Sequence, residues 1–526
     1  MRLSQTHGSV SPQELTRGVN RLMADAAFAT IVGTLNSGVV LVAYALFLGA
    51  SPTVIGILAA IPFLCQLLQA PAILLVERAR SRRLISIAAL FTARLALPLM
   101  AGLAFLPNKN LALALLVIGE TVHCAFNSVA GCSWNSWIRD LVPSETLGKF
   151  FARRTVWATL LGAAGTASAA GALELASRGY AAAGTIFFAL YGFGFLSSLI
   201  STWQLAQVPE TSMVRPAQRR SLKTLLAKPL KEDNFRRIIR FLATWQFAVN
   251  FALPFFTVYL VEQAGYTAGF VLVLSIVSQV ANLLVLRGWG ELSDRFANKT
   301  VLAVAAPGFI ACIAAMALVP ELDAGVRSAY LIALHILMGM ASAGVALASS
   351  AITMKAAPQG EAHVYMATSS LITSAAAGMA PLIGGLFATF FAQRGLNLGL
   401  TWTSPDGVAQ VVALSFNWWQ FYFLISAAMG VFALLRLSAV TEQGAVQPRE
   451  MIVHVLNSAR RGIRNASPVA GLRASVAFPA AALIEARRRA PLRDMRAPNR
   501  SPSRTAGAVA RRLIRQKRAA AKLARA

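Results

Sequence analysis

Charge is what this chain lacks. Only 13% of its 526 residues are Asp, Glu, Lys or Arg, where a soluble protein has about 25%. That scarcity excludes an ordinary water-soluble globule. The hydrophobic residues, 56% of the chain, gather in long runs of the kind that cross membranes. Acids are scarcest, 21 against 49 bases, which leaves a net charge of +28. Cysteine is rare too. Cys65, Cys124, Cys132 and Cys312 all lie in apolar runs without metal-ligand spacing, so they read as small buried hydrophobes and no metal site is expected. The chain has no G-x-x-x-x-G-K-S/T loop, no H-E-x-x-H and no G-x-S-x-G. Their absence argues against ATP drive and hydrolytic chemistry. No loop is long enough for a catalytic domain, so no catalytic residues, no cofactor and no enzyme activity are expected. The first 20 residues are polar and the apolar run after them is too long for a signal peptide, so none is expected to be cleaved.

What is there is a series of spans. Twelve runs are long enough to cross about 30 Å of hydrocarbon as helices. They fall near 24–48, 53–76, 84–106, 111–137, 155–176, 181–205, 238–262, 268–289, 300–320, 328–352, 366–392 and 414–438. Pro62, Pro98, Pro254 and Pro381 lie inside them, which neighbouring helices tolerate in a membrane. Their Gly, Ala and Ser content reads as close helix packing. Lys and Arg set the orientation. The loops at 77–83, 139–154, 206–240, 287–299 and 353–365 hold 21 of them, and the alternate loops hold four. The positive-inside rule puts the first set and both termini in the cytoplasm. The expected location is a bacterial inner membrane.

The chain repeats itself weakly. Asn36 and Thr53 match Asn250 and Thr267 at an offset of 214, Pro143 matches Pro358 at 215, and Glu77-Arg78 match Asp294-Arg295 at 217. Together the anchors argue for two six-helix halves of one orientation, 24–205 and 238–438. A cytoplasmic segment, 1–23, precedes them, a basic linker, 206–237, joins them, and a basic tail, 439–526, follows.

One stretch carries a specific likeness. "GELSDRFANKTVL", Gly290 to Leu302, resembles the signature loop of the major facilitator superfamily, G-x-L-A-D-R-x-G-R-K-x-x-L. Gly290, Leu292, Asp294, Arg295, Lys299 and Leu302 match it, while Ala297 is a small substitute for Gly and Asn298 replaces Arg. "ILLVERARSRRLI" is a degraded first-half copy, with Glu77 for Asp and Arg80 for Gly. "GMAPLIGG", Gly378 to Gly385, is similar to another glycine-proline element of that family. The resemblance implies an all-α membrane fold of twelve helices in two pseudo-symmetric halves. It also implies that Gly290, Asp294, Arg295 and Lys299, with Glu77 and Arg78 as a weaker set, form a gating loop between the halves. The other reading of these charges is that they mark the membrane boundary.

Charges inside the spans are expensive and so informative. Arg94 lies about 15 Å into the third span and Glu120 about 13.5 Å into the fourth from the other side. Their equal depth predicts an ion pair pinning the two helices. His123 sits one helical turn from Glu120, and the pair is equally a candidate for proton coupling or for a polar substrate. The resemblance implies that helices 1, 4, 7 and 10 line a central cavity. Asn36, Glu120, His123, Asn127, Gln246, Asn250 and His335 belong to those helices and are the cavity candidates, with interhelical bonding as the alternative. Asp25, at the expected start of the first span, is a further proton candidate or a simple helix-dipole acid.

From Pro448 the chain turns basic, with 19 Lys and Arg. Its amphipathic stretches could lie on anionic lipid, while nucleic acid is an unlikely partner and a solvated tail is the alternative. The reading that follows is a secondary transporter of a small solute, proton coupled, in a lipid bilayer. The alternative is a non-transporting receptor, regulator or assembly factor of the same fold.

Overall fold

A computed structural model of the protein describes residues 11–211, 226–358, 361–392, 394–404, 407–454 and 457. The linker's basic stretch Arg215–Lys223 and the arginine-rich tail beyond Asn457, with the lipid contact expected of it, lie outside the described residues. The chain divides into two compact units, Met1–Met451 and Ile452–Ala526, and every span belongs to the first.

Twelve helical spans are present: 1, Pro12–Phe47; 2, Pro52–Ala79; 3, Arg82–Phe105; 4, Lys109–Leu141; 5, Arg153–Ser177; 6, Ala183–Leu205; 7, Asp233–Gln263; 8, Ala268–Phe296; 9, Asn298–Pro320; 10, Gly325–Lys355; 11, Val364–Phe391; and 12, Trp418–Ser438. Polar caps start many of them. Ser51, Ser81, Asn108 and Thr267 each accept a backbone N–H of the first turn, satisfying a donor that the helix leaves open.

Span 1 begins twelve residues earlier than expected. Ser11 and Glu14 form a reciprocal capping box, and Pro12 opens the helix. Asp25 therefore lies well inside a helix, and the dipole explanation for it lapses. The same span breaks at Ser37, where Gly38 takes a left-handed φ of 58°. Span 5 also starts early, its helix running Ser144–Ser177 from a cap at Pro143, so the expected 139–154 loop shrinks to a short turn. The segment between the expected spans 366–392 and 414–438 is an antiparallel hairpin, β1 Gly395–Ser404 paired with β2 Gly407–Asn417.

Packing repeats by six. Span 1 packs on 5 and 6 as 7 packs on 11 and 12; 3 packs on 4 and 6 as 9 packs on 10 and 12; 2 packs on 4 as 8 packs on 10. This is the twelve-helix, two-half fold. The halves meet where span 2 packs on 11 and span 5 on 8. Large apolar side chains such as Leu284, Leu386 and Leu435 stay exposed on the outside, as a surface facing lipid requires.

Candidate functional site

The two seams are tight at the hairpin end, and the 2–11 seam stays tight to mid-span, where Gly378 lies on Leu64. On span 2, Gly56 lies against the Pro381 carbonyl of span 11, and a Cβ on Gly385 would sit 2.7 Å from Pro52 O. Only glycine permits that approach, which gives "GMAPLIGG" a packing role. Thr53 Oγ1 and Thr389 Oγ1 hydrogen-bond across the seam at 2.7 Å. At the 5–8 seam, Thr267 Oγ1 donates to Glu174 Oε2 at 2.9 Å. Apart from Gly378 on Leu64, these contacts lie toward the hairpin end of the molecule.

Toward the signature-loop end, spans 7, 10 and 11 surround a cavity of about 480 Å³. Span 7 contributes Trp245 and Gln246, span 10 contributes Ser342, Ser349 and Thr353, and span 11 contributes Ser369 and Thr373. Phe309 of span 9 completes the apolar wall, with its ring 5.9 Å from that of Trp245. Of the sequence candidates only Gln246 lines this cavity. The hydroxyls were passed over because a serine stripe is also the ordinary signature of helix packing. The usable signal was their clustering on one face: Ser342, Ser349 and Thr353 recur at seven and four residues.

Asn250, on the same helix, donates to Gln246 O at 2.8 Å. His335 is buried against its own helix, with Nδ1 2.8 Å from Leu331 O. Neither lines the cavity.

The predicted Arg94–Glu120 ion pair does not form among the described residues. Equal depth does not fix direction around a helix, and Arg94 turns toward span 6. Its Nη1 donates to Ser198 O at 2.6 Å and to Thr202 Oγ1, and its Nη2 donates to Ser201 Oγ at 2.8 Å. Ser201 in turn donates to Asp25 Oδ1 at 2.6 Å. Arg94 and Asp25, each 4% exposed, are thus joined through one hydroxyl, as buried opposite charges require.

Glu120 stands apart from this network. Cys124 Sγ donates to its Oε1 at 3.1 Å, and its buried Oε2 has no partner among the described residues. His123 points away to span 3, with Nδ1 3.0 Å from Ala93 O. Asn36, the last residue before the break in span 1, is 3% exposed, and both its amide atoms lack partners among the described residues. Asn127 is half-buried.

The signature loop is less a loop than a sharp turn between two helices. Helix continues through Gly290, Asp294 and Arg295 to Phe296, so Gly290 does not make the turn. Ala297 makes it, at φ 65° and ψ 158°. Its first-half counterpart is Arg80, at φ 54°. These are the two non-glycine residues with positive φ among the described residues, and both stand where the signature has Gly. Asp294, Arg295, Glu77 and Arg78 are exposed. Lys299 and Asn298 instead bind Glu442, beyond span 12: Lys299 N donates to Oε2 at 2.6 Å and Asn298 Nδ2 to Oε1 at 2.8 Å. Glu210, beyond span 6, does the same for span 3, accepting from Arg82 N at 2.5 Å and Ser81 Oγ at 2.8 Å. Each carboxylate caps a positive helix start. Neither was singled out from sequence, where a lone acid in a basic loop carries no signal.

No curated protein matches the chain. Among solved structures, the fold is similar to the nucleoside transporter NupG in a mutant form, with 13% identity, a TM-score of 0.62, and 81% of this chain and 100% of that chain covered. It is similar to a D-xylose–proton symporter, with 14% identity, a TM-score of 0.57, and 82% and 98% covered. It is also similar to a bacterial homologue of the human lysosomal transporter Spinster, inward-facing and unoccupied, with 14% identity, a TM-score of 0.55, and 82% and 96% covered. At such identities these likenesses concern the fold. The sequence profile of the Major Facilitator Superfamily matches residues 26–381, more than half the chain. This integral, multi-pass membrane protein belongs to the Major Facilitator Superfamily and is by kind a membrane transporter.

Proposed function

We propose that the protein is a secondary active transporter that moves a small solute by alternating access, coupled to protons. The observation that carries this is the combination of a seam tight from the hairpin end to mid-span with a polar-lined cavity in the C-terminal half, between spans 7, 10 and 11, toward the signature-loop end. The excess of Lys and Arg on the signature-loop side assigns that side, with both termini, to the cytoplasm of a bacterial inner membrane. The geometry is then inward-facing. The halves 24–205 and 238–438 rock about the fixed site, joined by the 206–237 linker. The exposed Asp294 and Arg295, with Glu77 and Arg78, engage when the cytoplasmic side closes.

Glu120 is the first choice for the proton carrier, since it is buried with a free oxygen. Asp25, hydrogen-bonded within the Arg94 network, is the second. His123, with Nδ1 against the Ala93 carbonyl and Nε2 still available, is the third. On the N-terminal side the Asn36 amide, unpartnered among the described residues, is a further candidate for a solute's hydrogen bonds.

Spin labels at Thr53→Cys and Thr389→Cys, with the four native cysteines replaced by alanine, test the reading. Two distances are expected in vesicles, a short one and one longer by about a helix diameter, with populations that shift between about pH 5 and pH 8. A single short distance at every pH refutes alternating access at this seam.

A further inference from the structure

We propose that the cavity between spans 7, 10 and 11 selects an uncharged solute carrying several hydroxyl groups and one flat or cyclic apolar face. This rests on the transporter reading above and names its substrate class.

The argument begins with what the lining lacks. None of its sixteen lining residues among the described ones is charged. An ammonium or a carboxylate entering it would give up water without gaining a counter-charge there, and that loss is prohibitive. The polar lining is instead neutral, one amide, one indole N–H and seven hydroxyls.

The hydrogen-bond ledger narrows the class further. A hydroxyl has one proton to donate and two lone pairs to offer. Ser342 donates to Gly339 O at 2.9 Å and Ser350 to Ala346 O at 3.1 Å. Thr353 donates to Ser349 O at 2.9 Å and Thr373 to Ser369 O at 2.8 Å. These four protons are spent on their own helices, so what the groups present to the cavity is acceptor oxygen. A phosphate or carboxylate brings no donors for these oxygens and meets no counter-charge here. A purely apolar solute would leave the lone pairs dry. A polyol brings the missing donors.

Five groups keep donors for the solute's own oxygens. Among the described residues Ser349 Oγ is buried without a partner, and the Ser369 and Ser370 hydroxyls, the Trp245 indole N–H and the Gln246 amide make no side-chain hydrogen bond. Trp245 and Phe309, tilted 58° to each other, offer the apolar surface on which the carbon face of a ring packs.

The test is calorimetric titration of the full-length protein in lipid nanodiscs with matched probes. D-glucose, myo-inositol and uridine are the neutral polyols. Glucuronate and glucosamine are charged partners of glucose, and cyclohexanol is an apolar control. At least one neutral polyol is expected to bind at least tenfold more tightly than any charged or apolar probe. Gln246→Leu should weaken it at least tenfold, and Ser349→Ala should weaken it less, with melting temperatures unchanged. Three results overturn the proposal: a charged or apolar probe that binds as tightly as the polyols, polyol binding indifferent to Gln246→Leu, or no polyol binding up to about 10 mM. The spin-label distances across Thr53 and Thr389 keep the two readings apart. Two exchanging distances without polyol binding overturn the substrate class and leave alternating access standing, while a single fixed distance removes the transporter reading itself.

Discussion

The two halves share a packing scheme and differ in what they bury. Spans 1 to 6 and their flanks bury Asp25, Arg82, Arg94, Glu120 and Glu210, whereas no Asp, Glu, Lys or Arg is buried among the described residues of spans 7 to 12. The C-terminal half puts neutral hydroxyls and one amide around a cavity instead. Buried charge is costly and is kept where it does work or is firmly paired. Neutral hydroxyls cost little and discriminate by hydrogen-bond complement. The contrast suggests a division of labour within one repeated fold, with ion coupling in the first half and solute recognition in the second.

The strongest way to break this comparison is to remove Arg94. Arg94→Met leaves Asp25 buried without its cation and takes donors from Ser201, Thr202 and the Ser198 carbonyl. The expected loss is about 3–5 kcal/mol, the usual cost of orphaning a buried charge. Arg94→Met combined with Asp25→Asn should recover most of it. The C-terminal counterpart, Ser369→Ala, should change thermal stability by less than about 1 kcal/mol. Equal effects in a melting series would mean that the first half is not built on its charges.

Glu120→Gln sharpens the same contrast by function rather than stability. The amide nearly preserves shape, and Oε2 has no hydrogen bond to lose. Folding should change little, while the pH dependence of transport in proteoliposomes should disappear. A Glu120→Gln protein with the wild-type pH profile would exclude Glu120 as the proton carrier and move the role to Asp25.

Much of the fold was legible because a membrane leaves little choice: long apolar runs must be helices, and Lys and Arg mark one side. The misses have physical causes. Arg17, Arg21 and Asp25 made the start of span 1 look aqueous, although the Ser11–Glu14 capping box was there to be read. The hairpin at 395–417 was hidden in a segment taken for a loop, although its alternating residues carry the period of a strand. The Arg94–Glu120 pair failed because sequence gives depth along a helix more readily than direction around it. The cavity hydroxyls failed because the serine that lets two helices touch and the serine that faces a solute are the same residue. What separates them is the gap between helices, a property of the assembled bundle.

The smallest effect lies where the halves agree. Arg80 and Ala297 occupy the equivalent turns of the two signature copies, and both adopt positive φ without being glycine. Their strain differs in kind. Arg80, at φ 54° and ψ 19°, is in the left-handed helical region, which costs an L-residue about 1–2 kcal/mol. Ala297, at φ 65° and ψ 158°, is in a region nearly reserved for glycine, where the cost is about 1–3 kcal/mol. Glycine removes that strain but loses more chain entropy on folding, about 0.5–1 kcal/mol. Ala297→Gly should therefore stabilise by about 1 kcal/mol and Arg80→Gly by less, both read as shifts in melting temperature. If the order is reversed, with Arg80→Gly gaining more, the strain at Ala297 is already relieved by Lys299, Asn298 and Glu442 holding the start of span 9, and that second-half turn is the better supported of the two.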